Sequence, residues 1–426
     1  MKNPASTPLS GYQTFVIFIL AITQFTVILD FMVMSPMGDI LMKSLRMSTS
    51  NFGIAVSAYA FSAGLSGILT AGFADKFDRK KLLLFFYIGF VGGTIMCGLV
   101  NSYHWLVAAR IITGLFGGVI GSISMAIVTD LFTLQQRGRV MGFIQLGFGA
   151  SQVLGIPVGL YLATKWNWHI TFLAVAGLAA LVVILIVTVL KPVNAHLAIR
   201  KDKAPLLHLW HTISNKDYRI AFTSTALLSI GGFMMMPFGS AFAVNNLGVS
   251  EDKLPLVFMI AGVSTLIAMP FMGYLSDKVN KFRLFAVACL WTMVVIVVYT
   301  HMGTIPFWLV ATFNVVMMVG ITGRMVPSTT LVSGVPAMQD RGAFMSINAS
   351  LQQISGGIGA VIGGLIVTKD VVTHKLGHYE VVGYIVAAIT LVSIVLMYRV
   401  DRLVKRRTAA QAMNEIGDKD IAVVEM

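Results

Sequence analysis

Charge is what this sequence has least of. Aspartate, glutamate, lysine and arginine make up 12% of its 426 residues, where a soluble domain carries about 25%. Hydrophobic residues make up 57%. A soluble fold cannot hide that much apolar surface, so the solvent of this chain is a bilayer. Cysteine is nearly absent. Cys97 and Cys289 lie in separate apolar runs without ligand spacing, which excludes a disulfide framework and leaves two small buried hydrophobes. The chain has no nucleophile–base pair, metal-ligand cluster or phosphate loop, so neither an enzyme, a metal nor a cofactor is expected. The 40 glycines and 12 prolines do not argue against helices, because both are commoner in membrane helices than in soluble ones.

What is present is a series of long apolar runs. They fall near 13–41, 50–74, 81–101, 104–132, 139–164 and 168–190, then near 219–246, 254–276, 283–303, 305–333, 342–368 and 381–399. Each is long enough to span a bilayer as a helix. The first is too long for a signal-peptide core and is read as a retained helix. The expected fold is therefore an all-α membrane protein of twelve transmembrane helices. Its divisions are a six-helix bundle over 1–190, a polar central loop over 191–218, a second six-helix bundle over 219–399 and an unstructured tail over 400–426. With both termini placed in the cytoplasm, 23 of the 31 lysines and arginines lie in inner segments and six in outer loops. That bias sets the orientation. It also gives the net charge of +13 a cause in anionic lipid headgroups, with no nucleic acid as partner.

The chain is one half written twice. Its densest charged cluster, Ala71-Gly72-Phe73-Ala74-Asp75-Lys76-Phe77-Asp78-Arg79-Lys80-Lys81, is echoed by Gly273-Tyr274-Leu275-Ser276-Asp277-Lys278-Val279-Asn280-Lys281. Phe31-Met32-Val33-Met34-Ser35-Pro36 is echoed by Phe233-Met234-Met235-Met236-Pro237, and Gln135-Gln136-Arg137-Gly138 by Gln339-Asp340-Arg341-Gly342. The fifth run carries Gly147, Ser151, Gly155 and Gly159 at every fourth position, and the eleventh carries Ser355, Gly359 and Gly363. Such small-residue stripes let helix backbones approach closely. Six helices per copy give both halves one orientation, the parallel duplication of transporters that rock two bundles about a midplane site.

These residues resemble the major facilitator superfamily. The 71–81 loop is similar to its signature Gly-x-Leu-Ala-Asp-Arg-x-Gly-Arg-Lys, with Asp75, Lys76, Arg79 and Lys80 on the charged positions and Ala71 and Asp78 where glycine is usual. Arg110-x-x-x-Gly114 resembles the second signature. Gly155-Ile156-Pro157-Val158-Gly159 resembles the helix-5 antiporter signature, with Ile156 interrupting the Gly-Pro pair. The resemblance leans to the drug:proton antiporter branch, which also contains sugar-efflux proteins. It implies alternating access, no catalysis and a multi-pass protein of a bacterial inner membrane.

Ionisable groups inside a membrane are costly and usually functional. Of the 18 acidic residues, only Asp30 lies well inside a run. It is 17 residues into the first, about 25 Å at the helical rise. Arg110 lies seven residues into the fourth run from the other side, about 10 Å deep. In a core about 30 Å thick both fall in the outer half, which is compatible with a pair. Two readings of it stand: a proton carrier exposed to competing substrate, or a fixed structural pair. The repeat puts Gly232 where the first half has Asp30, so the carboxylate exists in one half only. Arg324, in the tenth run, likewise has no counterpart, since Ile120 matches it. It either binds a carboxylate or phosphate on the substrate, or bonds backbone carbonyls and water near Pro327.

In the family, a carboxylate at the end of helix 2 placed against the start of helix 11 latches the halves. By that resemblance Asp75, Arg79, Lys80, Asp130, Asp277 and Lys278 are candidate latch residues, with Arg79 facing Asp130. The alternative is that these charges only set topology. Phe31, Met32 and Met34, with Phe233 and Met234 to Met236, are candidates for a soft substrate wall. Gln152, Asn348 and Gln352 are candidate polar contacts. For each of these wall and polar residues taken singly, helix packing or lipid contact is the stronger alternative. Gly114, Gly155, Pro157, Gly159, Gly359 and Gly363 are helix-packing positions. Three functions compete: a monomeric proton-coupled exporter of small amphipathic molecules, a symporter or exchanger of a small organic anion or sugar-like metabolite, and a non-transport receptor. Short loops without a sensor domain disfavour the last.

Overall fold

The computed structural model describes residues 9–71, 73–194, 197, 205–337, 340–370 and 372–424. The side chains at 71, 75, 134, 135, 138, 205–208 and 408–424 lie outside the description. Apolar runs become helices because a helix satisfies every backbone polar group internally, which hydrocarbon requires. Twelve stretches of the described chain are long and apolar enough to cross a bilayer.

The first half holds α1 (Gly11–Val33), α2 (Gly38–Ser44), α3 (Thr49–Ala71), α4 (Arg79–Leu99), α5 (Tyr103–Leu131), α6 (Leu134–Ala150), α7 (Ile156–Lys165) and α8 (Trp168–Val189). After α9 (Pro205–Ser214) come α10 (Lys216–Met235), α11 (Gly239–Asn245), α12 (Leu254–Lys278), α13 (Lys281–Thr300), α14 (Phe307–Ser333), α15 (Arg341–Ile366) and α16 (Tyr379–Val424). A two-strand hairpin, β1 (Thr368–Lys369) antiparallel to β2 (Leu376–Gly377), joins the last two helices.

Four stretches depart from the expected pattern. The first apolar run is not one helix. It breaks after Val33 and resumes as α2, because Pro36 has no N–H to donate to Met32 one turn back. The seventh run breaks in the same way at Pro237, in a 3-10 turn over Met236–Phe238. The repeated Phe-Met-Met-Pro-like segments are therefore paired helix breaks. The central loop contains a helix, α9, with Leu209 buried and Trp210 exposed. The region 400–424, expected to lack structure, is helical as the continuation of α16. It has no proline and carries four alanines and three arginines, both good helix formers, and Asp401 pairs with Lys405 one turn on at 2.6 Å.

The helix-5 signature also has a local consequence. Between α6 and α7 the chain forms a π turn over Ser151–Gly155, and the Ile156 N–H reaches back five residues to the Ser151 carbonyl. Pro157 stands at the start of α7, where its missing donor costs nothing. The small-residue stripe presses α6 and α7 onto α1: a side chain at Gly147 would meet the Ala21 carbonyl, one at Gly155 would meet Leu29, and one at Gly159 would meet Val33. The matching stripe presses α15 onto α10, with Gly359 against the Ile230 carbonyl and Gly363 against the Met234 carbonyl.

The distribution of apolar packing shows where the halves join. Call the side that holds residue 9 and the end of α16 the near side. One core of buried residues crosses between the halves, from Leu29, Val33, Phe52 and Phe172 to Met234, Phe238, Val257 and Val386, and lies toward the far side. Toward the near side each half has its own core, one built from residues such as Leu20, Phe86 and Ile123 and the other from Tyr218, Phe285 and Met397. The halves also touch along α3 and α15 and where α12 meets the α6–α7 turn.

Candidate functional site

Asp30 sits in the last turn of α1, just before the break, fully buried. Its Oδ2 accepts from Arg110 Nη1 at 2.8 Å, and its Oδ1 accepts from Thr94 Oγ1 on α4 at 3.1 Å. Arg110 Nη1 also reaches the Asp30 carbonyl at 3.3 Å. Arg110 is itself fully buried, with its guanidinium 4.5 Å from the Tyr59 ring centre. Its Nε and Nη2 have no hydrogen-bond partner among the described residues. Three helices thus converge on one carboxylate. Thr94 and Tyr59 were not visible as site residues in the sequence; the only signal was a threonine and a tyrosine inside apolar runs.

The spacing Arg110-x-x-x-Gly114 explains how Tyr59 gets there. The two residues lie one turn apart on the same face of α5. Any side chain at 114 would strike the backbone of Tyr59 and the Ser62 hydroxyl. The glycine lets α3 close on α5, and the tyrosine ring then lies under the guanidinium.

The other predicted contacts are scattered. Phe31 is partly buried, its ring 4.9 Å from Tyr59 and 5.8 Å from Phe233 of the other half. Met34 is fully buried in the core between the halves, as is Met234, so neither lines open space in this conformation. Met236 and Gln152 are partly buried and Gln352 is exposed. Asn348 Oδ1 is buried without a hydrogen-bond partner among the described residues. Arg324 is 9% exposed, and among the described residues it makes no hydrogen bond or ion pair, with a backbone carbonyl or with anything else.

On the near side Arg79 and Asp130 form an ion pair at 3.3 Å. Asp78, where the family signature has glycine, caps α4 by accepting from the backbone N–H groups of Lys80 and Lys81. Lys80 Nζ donates to the Val187 carbonyl at 2.9 Å. The side chain of Asp75 lies outside the described residues. In the second half Asp277 is exposed, and Lys278 rests 4.3 Å from the Tyr274 ring centre.

On the far side the structure has a clamp that the sequence reading passed over. Asp39 on α2 has a side chain only 2% exposed. Its Oδ1 accepts from Asn245 of α11 at 2.8 Å and pairs with Lys369 of β1 at 3.1 Å. Its Oδ2 pairs with Lys43 at 2.6 Å, and Lys43 reaches on to Glu251 at 2.7 Å. Lys165 and Asp252 add a looser pair at 3.8 Å. Ser240 donates to the Ser35 carbonyl at 3.0 Å, and Thr49 to the Val367 carbonyl at 2.5 Å. All of these join one half to the other, except Lys43 to Asp39. Burial opposes the charge on Asp39, but the hydrogen bonds from Lys43 and Asn245 and the Lys369 and Lys43 charges outweigh it, so its carboxyl is held below the usual range.

Comparison with known proteins agrees with this architecture. The Major Facilitator Superfamily family model matches residues 20–332 and 221–415. The uncharacterized MFS-type transporter YbcL of Bacillus subtilis (strain 168) is 25% identical over 366 residues, 83% of this chain and 89% of the relative. A probable sugar efflux transporter of Mannheimia succiniciproducens is 24% identical over 372 residues, 87% of this chain and 90% of the relative. Among solved structures, a bacterial homolog of the human lysosomal transporter Spinster, inward-facing and unoccupied, is similar in fold. Its TM-score is 0.74 at 15% identity, over 94% of this chain and 99% of that one.

Proposed function

This chain belongs to the major facilitator superfamily, and within that family we propose that it is a monomeric proton-coupled exporter of small amphipathic molecules. It works in a bacterial inner membrane with both termini in the cytoplasm. The observation that carries the reading is Asp30: a fully buried carboxylate in the last turn before a helix break, held by Arg110 and Thr94.

The cycle follows from competition at that carboxylate. While Arg110 holds Asp30, the charge is compensated and no proton is needed. When the pair is parted, an uncompensated carboxylate in a low-dielectric site takes up a proton. Substrate in the space between the halves and a proton on Asp30 then exclude one another. Opening the far side, the periplasmic face in this orientation, releases substrate and admits the proton. Closing it behind the Asp39 clamp returns the proton to the cytoplasmic side. Partly buried Phe31 and Phe233 give the route an apolar, aromatic wall, which suits amphipathic molecules better than strongly hydrated ones. The relative named as a probable sugar efflux transporter supports the direction of transport.

One observation favours a second substrate class. Arg324 is nine-tenths buried and unpaired among the described residues, and a desolvated guanidinium is stabilised by an anion. A carboxylate or phosphate on the cargo would meet that need.

The test is purified protein in liposomes loaded with a pH dye, given lipophilic cations, neutral drugs, sugars and organic acids. Substrate-dependent proton movement that Asp30→Asn abolishes, with binding retained, is the expected result. Proton movement unchanged in Asp30→Asn would sink the carrier role. A response confined to organic acids and lost in Arg324→Ala would replace the amphipathic cargo with an anionic one.

A further inference from the structure

We infer that Tyr59 is the positioning residue that couples cargo in the space between the halves to the Asp30–Arg110 pair. The inference rests on the proposed proton-coupled function and adds a residue to it.

An unbroken line of contacts runs from the carboxylate to the other half. Arg110 Nη1 lies 2.8 Å from Asp30 Oδ2. The guanidinium carbon lies 4.5 Å from the centre of the Tyr59 ring. That ring lies 4.9 Å from the Phe31 ring, tilted by 32°. The Phe31 ring lies 5.8 Å from the ring of Phe233 on α10, tilted by 39°. Phe233 in turn packs on Gly356 of α15. Phe31 and Phe233 are partly buried, whereas Tyr59 is 2% exposed and Arg110 fully buried. The accessible end of the line is thus the phenylalanine pair, and the sealed end is the ion pair.

Tyr59 acts through its ring face. Among the described residues its hydroxyl makes no hydrogen bond. A cation over an aromatic face is held by the ring quadrupole, and more strongly when desolvated. Its place is fixed by Gly114, which admits the Tyr59 backbone against α5 one turn from Arg110. An apolar or aromatic part of the cargo that enters between Phe31 and Phe233 moves Phe31 relative to Tyr59. The Tyr59 ring then shifts under Arg110, and the hold of Arg110 on Asp30 changes with it. Cargo reaches the proton site without touching the carboxylate.

The test uses the full-length protein in liposomes with Tyr59→Phe and Tyr59→Leu. Substrate accumulation driven by a pH gradient and substrate–substrate exchange at equal pH are both measured. Tyr59→Leu is expected to slow gradient-driven accumulation at least tenfold while exchange stays within about twofold. Tyr59→Phe, which keeps the ring, is expected to stay within about twofold in both. Full gradient-driven accumulation in Tyr59→Leu overturns the inference, and so does a Tyr59→Phe as damaged as Tyr59→Leu. Thermal unfolding of Tyr59→Leu, Arg110→Gln and the double variant gives a second readout. Losses that fail to add are expected for groups in contact, and additive losses overturn the inference. That cycle does not depend on protons. If the wild type moves no protons with any cargo, the exporter reading falls, and the cycle still decides whether Tyr59 positions Arg110.

Discussion

At the scale of single residues, the question is whether Asp30 and Arg110 do more than hold each other. Both are fully buried, and the pair is 2.8 Å apart. Removing one partner of such a pair leaves an uncompensated charge and costs about 3–5 kcal/mol, whereas removing both charges is often nearly neutral. Arg110→Ala should therefore lower the thermal midpoint of purified protein sharply. The double variant Asp30→Asn/Arg110→Gln should recover much of that loss. A purely structural pair predicts that transport recovers together with stability. A proton carrier predicts a folded double variant that moves no protons. Measuring unfolding and proton movement on the same preparations separates the two. Thr94, donating to Oδ1 at 3.1 Å, should matter less, because its bond can be replaced by water when the site opens.

At the scale of elements, the two proline breaks set up the far-side seam. They free α2 and α11 to turn against one another, and this brings Asp39 within reach of Asn245 and Lys369. The Asp39 carboxyl is held below its ordinary value, so the stability it lends the closed seam is complete above about pH 4 and is lost as pH falls through the depressed value. Burial opposes the charge on Lys43 too, but its bonds to Asp39 and Glu251 outweigh that and raise its value. Its share is complete below about pH 10 and is lost only above that. Between those limits the clamp should be indifferent to pH, so any pH dependence of transport near neutrality belongs to another group. A cysteine in place of Ser240, which is 1% exposed in the seam, reports on this. Its labelling from the far side, normalised at each pH to that of an exposed cysteine because only the thiolate reacts, should be flat from pH 5 to 9 and several-fold faster with Asp39→Asn. Equal labelling with and without Asp39→Asn would mean that the apolar seam alone keeps this side shut.

The same elements show what was legible in the sequence. Run lengths and the internal repeat gave twelve spans in two halves, because hydrocarbon leaves a chain few alternatives. Depth counting put Asp30 and Arg110 in the same half of the bilayer, and the fold brings them into contact. The Phe-Met-Pro segments were legible as a repeat but not as a break, since a proline in a membrane helix can equally bend it. Asp39 was not singled out because charge at a helix end is ordinary there; only the fold brings two partners from other elements to it, Asn245 and Lys369. Tyr59 escaped because one aromatic in an apolar run carries no signal until the glycine opposite it is placed.

At the scale of the whole molecule, direction depends on which face is which. The halves share a core toward the far side and keep separate cores toward the near side. If the near side is cytoplasmic, as the excess of lysine and arginine there predicts, this conformation is shut toward the periplasm, and an exporter in it is poised to load cargo. If the near side were periplasmic, the same shape would be a carrier poised to take cargo in, and the export reading would reverse. Cysteine labelling decides between them with little background, because Cys97 and Cys289 are both fully buried. Lys375→Cys, exposed on the far-side hairpin, should react with a membrane-impermeant maleimide on intact cells. Lys278→Cys, exposed at the near-side end of α12, should react only in inverted vesicles. The opposite pattern would keep the fold and the ion pair as they are and turn the proposed exporter into an importer, since nothing in the Asp30 chemistry itself prefers one direction.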